Sequence, residues 1–237
     1  YMALPFFYKE DSSTSSTQII LDENTSKHIV QVLRMHNGEQ LQLTNGKGGL
    51  FICEIIDDNR KKCVVKILNH SLLPPHNLTI SIAISLLKNT TRFEWFLEKA
   101  TEIGVTEIIP VICERTEKTT FKFERLNTIL VSAMLQSQQC WLPLLHQPIA
   151  YSKFIKQPFE KTIKFIAHCE SQETKQLLTN HHSPLTNKLI CIGPEGDFTK
   201  AEIELALQHN FASVSLGNRR LRTETAGVVA LVLLQNK

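Results

Sequence analysis

Apolar and polar residues alternate along the first third of the chain, which is the pattern of half-buried β-strands. The stretch EQLQLTNGKGGLFICEIIDD, residues 39–58, shows this alternation on both sides of a turn rich in Asn and Gly. It predicts a β-hairpin whose loop lies around residues 45–49. The stretch KCVVKILNH predicts a further strand, and residues 26–34 carry a short helical pattern. This part of the chain therefore predicts a small β-rich domain.

The pattern changes after LLPPHN, residues 72–77, because two prolines exclude both a helix and a central strand there. Beyond this linker, apolar runs of strand length alternate with segments of helical periodicity, which predicts a parallel sheet covered on both faces. We therefore predict an α/β domain after the β-rich one. The predicted strands lie within 78–87, 106–113, 162–169, 188–193 and 212–217, and the predicted helices within 92–104, 123–139, 171–182, 199–210 and 224–235.

Composition narrows the class of protein further. The chain has 237 residues, 42% hydrophobic and 21% charged, with a net charge of +3, which is typical of a globular protein and demands no anionic partner. None of its six cysteines forms a C-x-x-C pair, so we expect reduced, buried thiols in a cytoplasmic protein. Its histidines form no H-E-x-x-H, so we expect no metal. The longest apolar run, residues 228–234, is too short to span a membrane.

The stretch CIGPEGDF, residues 191–198, joins a predicted strand to a helix through a tight, glycine-rich turn. Thr199 and Glu202 are spaced as a capping box, which predicts that this helix begins there. Ligands of open α/β sheets bind at the carboxyl ends of strands, and such a turn lets a ligand approach the backbone. The Walker and Rossmann phosphate motifs are both absent, and Glu195 would repel a phosphate. S-adenosylmethionine, which carries a sulfonium cation and no phosphate, suits this turn. The alternative is a turn that merely connects strand to helix.

A second loop, LGNRRLRTETAG, residues 216–227, follows the last predicted strand and carries three arginines. Arginines beside a helix N-terminus favour an anion or an electron-rich ring as ligand. The alternative is a solvated arginine cluster that Glu224 caps. The helix that follows is apolar all round, so we expect it to lie beneath other segments or to pack on a second subunit.

The stretches IGPEGDFTKAEIELA and SVSLGNRRLRTETAGVVAL closely resemble the RsmE-type ribosomal RNA methyltransferases of the SPOUT superfamily. VLRMHNGEQLQLTNGKGGLFICEI resembles the PUA-like RNA-binding barrel of that family, and KNTTRFEWFLEKATEIGVTEIIPVICERT resembles the opening of its methyltransferase domain. The resemblance implies a PUA-like β-barrel domain over residues 2–73. It also implies a SPOUT-type parallel sheet over residues 74–237, with a C-terminal deep trefoil knot at roughly 188–237.

The same resemblance implies an activity and partners. It implies transfer of a methyl group from S-adenosylmethionine to N3 of a specific uridine in the 16S ribosomal RNA of the small subunit. It also implies a homodimer formed through the C-terminal domain. Two alternatives stay open: methyl transfer to another RNA such as transfer RNA, and a non-catalytic RNA-binding assembly factor. The intact Gly193, Gly196 and Arg222 argue against the second alternative.

Site roles follow from the chemistry of that reaction. Loss of the N3 proton spreads negative charge onto the uracil oxygens, so we expect Arg222 to hold them with its forked donors. Glu195 and Glu224 are candidate bases, with helix capping as the alternative for each. We expect a larger side chain at Gly193 to fill space that the cofactor needs. The expected RNA contacts are Arg34, Arg92, Arg219 and Arg220, and the expected cofactor contacts are Ile192, Gly193, Gly196, Leu216, Gly217, Leu221, Thr223 and Ala226.

The chain departs from the family pattern at two places. Asp197 stands where many members carry a second glycine, which makes the turn less permissive. Residues 135–143, LQSQQCWLP, lack a glutamate and an arginine that many members carry, so this departure concerns the RNA contacts more than the cofactor site.

Overall fold

The computed structural model describes residues 4–13, 17–75, 78–170, 175–180 and 187–235. These residues form two compact units. The first unit comprises the chain up to Pro75 together with Met134–Leu142, and the second comprises the remainder. The segment Met134–Leu142 lies within the predicted second domain, but it packs with the first unit.

The first unit is built on a mixed sheet with the strand order β1-β3-β4-β5-β2. β1 pairs with β3 in parallel, and the other neighbours are antiparallel. The predicted hairpin is confirmed as β3 and β4, whose loop comprises residues 45–48. The strands are β1 Phe6–Tyr8, β2 Gln18–Ile20, β3 Gln40–Thr44, β4 Gly49–Asp57 and β5 Val64–Leu72.

The helical segment of this unit begins earlier than its pattern predicts. Helix α1 spans Glu23–Lys27, because Asp22 caps it by accepting a hydrogen bond from the Thr25 backbone N–H at 3.0 Å. A π-helical turn, His28–Val32, follows directly. Its buried Ile29 packs on the core that alternate residues of β3 and β4 form. One face of the sheet is therefore apolar and lies against the interior of the unit, as the alternation predicts.

The segment Met134–Leu142 joins the first unit through the hairpin loop. The backbone N–H of Leu142 donates to the carbonyl of Gly46 at 2.8 Å, and that of Gly48 donates to the carbonyl of Cys140 at 2.9 Å. Gly48 has a φ of +85°, and the ring of Trp141 occupies the place where a Cβ would stand. A glycine is required there because both the backbone conformation and the close approach exclude a side chain.

The second unit is an α/β sheet whose strands are all parallel, in the order β11-β13-β10-β12-β6-β7-β8, with β9 also paired to β7. Its strands are β6 Thr79–Ser85, β7 Glu107–Ile112, β8 Leu144–Leu145, β9 Ile149–Ala150, β10 Thr162–Ala167, β11 Gln176–Leu177, β12 Asn187–Ile192 and β13 Ala212–Ser215. Its helices are α2 Thr90–Ile103, α3 Phe123–Gln136, α4 Tyr151–Phe154, α5 Lys200–Gln208 and α6 Thr223–Gln235, and the last residues of α3 belong to the first unit.

Helices cover both faces of this sheet, as predicted. On one face, Leu189 and Cys191 of β12 share a buried cluster with residues of α4 and α5. On the other face, α6 packs against α2, β6 and β12. Gly227 of α6 permits this contact, because a Cβ there would lie 2.6 Å from the Phe96 ring of α2. The predicted α/β architecture is therefore confirmed.

Helix ends follow the local signals in the sequence. Thr199 and Glu202 form the predicted capping box at the start of α5, with both reciprocal hydrogen bonds present. Gly104 ends α2 in the left-handed conformation at a φ of +91°. In the part of the chain that the structure describes, no helix is long and apolar enough to cross a membrane.

One prediction about this unit is wrong, and a second is met only in part. The helix predicted over 171–182 is absent from residues 175–180, which form β11 and the 3₁₀ turn Leu178–Asn180; the rest of that prediction lies outside the described residues. Other segments of the chain cover helix α6 only in part, because Val232 is 40% exposed, so the alternative that it packs on a second subunit stays a prediction. One stripe of this apolar helix therefore stays uncovered within a single chain.

Candidate functional site

A cavity of about 310 Å³ opens at the carboxyl edge of the second unit's sheet. Three strand ends form most of it: residues 167–169 at the end of β10, 192–195 at the end of β12, and 214–221 at the end of β13. The two loops that the sequence singled out therefore face one cavity. They are not on neighbouring strands, because β10 lies between β12 and β13. The volume of the cavity lies in the range of small-molecule sites.

Asp197 fastens the glycine-rich turn to the end of β10. Its carboxylate accepts hydrogen bonds from the Cys169 N–H at 2.7 Å and from the Phe198 N–H at 2.8 Å. Asp197 has a φ of +66°, a conformation that glycine adopts freely and that Asp tolerates through such local hydrogen bonds. These hydrogen bonds explain how Asp197 adopts this conformation at a position where many members of the family carry a glycine.

Two further contacts hold the same turn from the side of β6 and β7. The guanidinium of Arg115, after β7, donates to the Gly196 carbonyl at 2.7 Å. The backbone N–H of Lys88, after β6, donates to Oε1 of Glu195 at 3.2 Å. Glu195 is otherwise exposed at the cavity. The turn is therefore held in place before any ligand arrives.

Gly193 and Gly217 line the cavity for different reasons. A Cβ on Gly193 would lie 3.0 to 3.1 Å from the ring and the backbone nitrogen of Phe198, so a side chain there clashes with the protein itself. A side chain there would press on Phe198, and the expectation that it would also fill ligand space stays a prediction. A Cβ on Gly217 would meet nothing within 4 Å, and its φ is +129°. Gly217 is thus the position where bare backbone borders open space.

The loop after β13 has few internal contacts. Gly217, Arg219, Arg220 and Arg222 are exposed, and the polar contacts near its start link the Ser215 hydroxyl to Gly217. Arg219 and Arg220 line the cavity, and neither makes an ion pair with the described residues. Arg222 is outside the lining, and its carbonyl accepts the first backbone hydrogen bond of α6 from Ala226 at 2.7 Å. The guanidinium groups of Arg219 and Arg220 are therefore available to a ligand on this side of the cavity.

The cavity lining contains groups of both charge signs. Glu195 and Asp197 provide carboxylates, and Lys175, Arg219 and Arg220 provide cations. Cys169 is exposed here, contrary to the expectation that all six thiols are buried; the other five are. Partial desolvation of its thiol and the Asp197 carboxylate raise the pKa of Cys169, against the opposing effect of Arg220 and Lys175. Its thiol is therefore not activated as a nucleophile.

Glu224 lies at the start of α6, away from the cavity lining. Its side chain is 8% exposed, and its Oε1 lies 3.7 Å from Nε of Arg92 on α2. Its Oε2 is buried and has no hydrogen-bond partner among the described residues. Glu224 therefore forms an ion pair with Arg92, whose own side chain stays 40% exposed.

The structure brings most of the predicted site residues to one place. Arg34 lies in the first unit, where it is exposed at a φ of +56°. Gly196 and Thr223 are beside the cavity in sequence but outside its lining. The predicted residues that line the cavity are Ile192, Gly193, Glu195, Leu216, Gly217, Arg219, Arg220, Leu221 and Ala226.

Sequence reasoning missed the wall formed by β10. Ala167, His168 and Cys169 line the cavity, as does Lys175. The strand TIKFIAHC was predicted, and the rule that ligands bind at carboxyl ends applies to it as well. Its end carries no glycine or arginine signature, so nothing in the sequence distinguished it. Among the described residues, no three His, Cys, Asp or Glu side chains are grouped to hold a metal ion.

Comparison with known proteins identifies the class. Residues 74–235 match the family described as RNA methyltransferase domain, and residues 21–68 match the family described as RNA methyltransferase PUA domain. The chain therefore belongs to the RNA methyltransferase family, with a PUA domain ahead of the catalytic domain.

Individual relatives sharpen this likeness. The chain is 28% identical over 228 residues to the ribosomal RNA small subunit methyltransferase E of Rickettsia conorii, which covers 94% of this chain and 92% of that protein. It is similar to a crystal structure of a probable rRNA-methyltransferase from Porphyromonas gingivalis, with a TM-score of 0.91, 38% identity and coverage of 98% and 97%.

It is also similar to a ribosomal RNA small subunit methyltransferase E from Neisseria gonorrhoeae, crystallised with S-adenosyl methionine, with a TM-score of 0.88, 28% identity and the same coverage. The resemblance to RsmE-type enzymes is confirmed, as is the predicted parallel α/β sheet with a PUA-like domain ahead of it.

Proposed function

We propose that this protein transfers a methyl group from S-adenosylmethionine to N3 of a uridine in the 16S ribosomal RNA of the small subunit. The observation that carries the proposal is the cavity at the ends of β10, β12 and β13, with bare backbone at Gly217 and unpaired arginines beside it. The relatives named above support the substrate class, and the PUA domain supports an RNA partner. The reaction then belongs in the cytoplasm, where small subunits are found.

The cavity fits this cofactor. S-adenosylmethionine carries an ammonium, a sulfonium and a carboxylate, and the lining supplies carboxylates and the ammonium of Lys175 for these groups. Its adenine ring is flat, and Ile192, Leu216 and Leu221 offer apolar surface against which a flat ring can pack. Gly217 lets the backbone approach a ligand closely. We propose that the predicted cofactor contacts hold it there, with Gly196 and Thr223 supporting the turn and the helix start.

The cofactor supplies an electrophilic methyl group on a sulfonium. The protein must remove the N3 proton and stabilise negative charge on the uracil oxygens. Glu195 is the better placed base, because it is exposed at the cavity and only its Oε1 is held, by the Lys88 N–H. Glu224 is buried against Arg92, which supports a positioning role for it in place of proton transfer.

Arg222 is our choice for the uracil oxygens. Its side chain is exposed next to the cavity loop and makes no ion pair with the described residues. A guanidinium stays charged and offers paired donors, which matches charge spread over carbonyl oxygens. Arg34, Arg92, Arg219 and Arg220 are then left to contact the RNA, the first from the PUA-like unit.

A homodimer through the C-terminal domain belongs to the same proposal. The uncovered stripe of α6, marked by Val232, supports it, because a largely apolar helix seldom leaves such a surface in water. A Val232→Asp change places the charge at a position 40% exposed in one chain, so the fold should survive while association is lost. Sedimentation at micromolar concentration measures this. A monomeric wild-type protein would refute the dimer.

We also propose the domain bounds 2–73 and 74–237 and a trefoil knot over 188–237, on the strength of the family resemblance. The division of the structure near Pro75 supports the boundary between them.

Two experiments test the activity. Calorimetry and thermal unfolding with S-adenosylmethionine and with ATP test the cofactor. At a concentration one hundred times its Kd, the true ligand stabilises by about 2.7 kcal/mol, and ATP should not. Equal stabilisation by both would refute the proposed cofactor.

The second experiment maps methylated uridines in 16S ribosomal RNA from a strain lacking the gene, with and without its complementation. One N3-methyluridine should disappear and return. Transfer RNA from the same cells is analysed in parallel, and a change confined to it would favour that substrate instead. No change in either RNA, together with cofactor binding that stays intact, would favour the assembly-factor alternative.

A further inference from the structure

A second cavity, of about 190 Å³, lies in the same unit. It is formed by the end of β6, the first turns of α2, the loop of residues 118–122 and the start of α3. Its floor is apolar, because Leu86, Leu87, Phe93 and Leu126 are each at least 94% buried. A floor of this kind accepts a flat, weakly polar group.

The rim of this second cavity is cationic. Glu94 and Arg125 form a two-pronged ion pair, with nitrogen–oxygen distances of 2.7 and 2.9 Å, so they largely neutralise each other. Lys118 and Lys122 are exposed and form no ion pair with any of the residues that the structure describes. Two ammonium groups therefore remain available to an anion next to an apolar floor.

The two cavities open at the same edge of the sheet. Leu87 lines the second cavity, and the next residue, Lys88, donates its backbone N–H to Glu195 of the first. β6 and β12, which lead into these residues, are neighbours in the sheet. The two cavities are therefore neighbours at this edge, so one RNA strand can reach both.

We infer that the second cavity binds a nucleotide of the RNA strand that flanks the methylated uridine, with its base on the apolar floor and its phosphate at Lys118 and Lys122. This inference rests on the proposed function for the identity of the RNA. Unstacked bases of single-stranded RNA bind on apolar and aromatic surfaces, and lysines neutralise the adjoining phosphates. The second cavity thereby orients the strand so that the target enters the first.

Two variants test the lysine charges and the open volume of the second cavity separately. Lys118→Ala/Lys122→Ala removes both ammonium groups and leaves the floor intact. Thr120→Trp fills the second cavity from its exposed rim and leaves the charges intact. The matched control is Lys153→Ala/Lys156→Ala, which removes two exposed lysines of the same unit that do not line either cavity.

The readouts are the Kd for a single-stranded fragment of 16S ribosomal RNA, the KM and kcat on small subunits, and the Kd for S-adenosylmethionine. Each test variant should weaken RNA binding and raise KM about tenfold, with kcat and the cofactor Kd within twofold of wild type. The lysine variant should also lower the log–log salt slope by about 0.7 for each phosphate that it no longer neutralises. The control should match wild type.

Unchanged RNA affinity in either test variant overturns the inference. If only the lysine variant binds weakly, the lysines act as an open surface; if only Thr120→Trp does, the phosphate assignment is wrong. An equal loss in the control would show a general charge effect. If wild-type protein fails to methylate small subunits, the proposed function fails, and the RNA affinities still decide whether the second cavity takes a nucleotide.

Discussion

The two loops that border the first cavity differ in how firmly they are held. The turn of residues 193–197 receives hydrogen bonds from the side chain of Arg115 and from the backbone of Lys88, and Asp197 ties it to Cys169. The loop of residues 216–222 has exposed arginines and few internal contacts. Contacts within the protein therefore fix the turn, whereas the loop is left to interact with a ligand.

This difference predicts that cofactor binding depends on the turn and that catalysis depends on the loop. A fixed wall binds without having to be ordered first, which favours affinity for a small cofactor. Unpaired arginines at the other wall are free to meet charge that develops during reaction or that RNA brings. We therefore expect changes in the turn to alter cofactor affinity and stability, and changes in the loop to alter rate and RNA binding.

The largest expected effect is that of Arg222→Ala. Removal of a donor to developing negative charge raises the barrier by roughly 3–4 kcal/mol, a rate loss of about a hundredfold to a thousandfold. The Kd for S-adenosylhomocysteine should stay within twofold of wild type, and Arg222→Lys should restore little, because it cannot present a planar fork. Single-turnover kinetics on small subunits and calorimetry measure both. If product binding weakens while the single-turnover rate is unchanged, Arg222 is a cofactor ligand. The proposed difference between the turn and the loop is then wrong.

The next effect is that of Gly193→Val. The added carbons press on Phe198, and overpacking of this kind destabilises by about 1–3 kcal/mol. Cofactor affinity should fall with it, because Phe198 donates to the Asp197 carboxylate that holds the turn. Thermal unfolding and calorimetry report the two effects, with Gly193→Ala as the smaller step. If the Gly193→Val variant is fully stable and fails to bind the cofactor, the glycine instead leaves space for the ligand.

A smaller effect is expected for Asp197→Gly. Glycine keeps the positive φ, so this change removes the carboxylate without straining the backbone. The tie to the partly exposed Cys169 N–H is worth about 1 kcal/mol, so cofactor affinity should fall about fivefold with little change in kcat. Arg220→Gly is the comparison variant in the open loop. If both variants weaken the cofactor equally, the two walls do not differ in function.

The smallest effect on rate is expected for Arg219→Gln/Arg220→Gln. These exposed arginines should contribute to RNA affinity through phosphates, so the salt slope should fall by about 0.7 for each phosphate left without its arginine. Saturating RNA should restore kcat to within a few-fold of wild type. Titration of RNA at several salt concentrations measures the slope. An unchanged slope would place these side chains on the cofactor.

Local signals in the sequence determined the elements and their ends. The alternation in residues 39–58 predicted the β3–β4 hairpin, and Thr199 with Glu202 predicted the start of α5. The glycine and arginine signatures marked two loops that do border one cavity. These features depend on interactions within a few residues, so they can be read from one stretch of chain at a time.

Only the tertiary structure decided which elements meet. It placed β10 between β12 and β13, which added Cys169 to the cavity and let Asp197 bind it. It also paired Glu224 with Arg92, and assigned Met134–Leu142 to the first unit. Strand order and such pairings depend on contacts between residues far apart in the chain. Periodicity carries no information about them, because many partners satisfy the same pattern of apolar and polar residues.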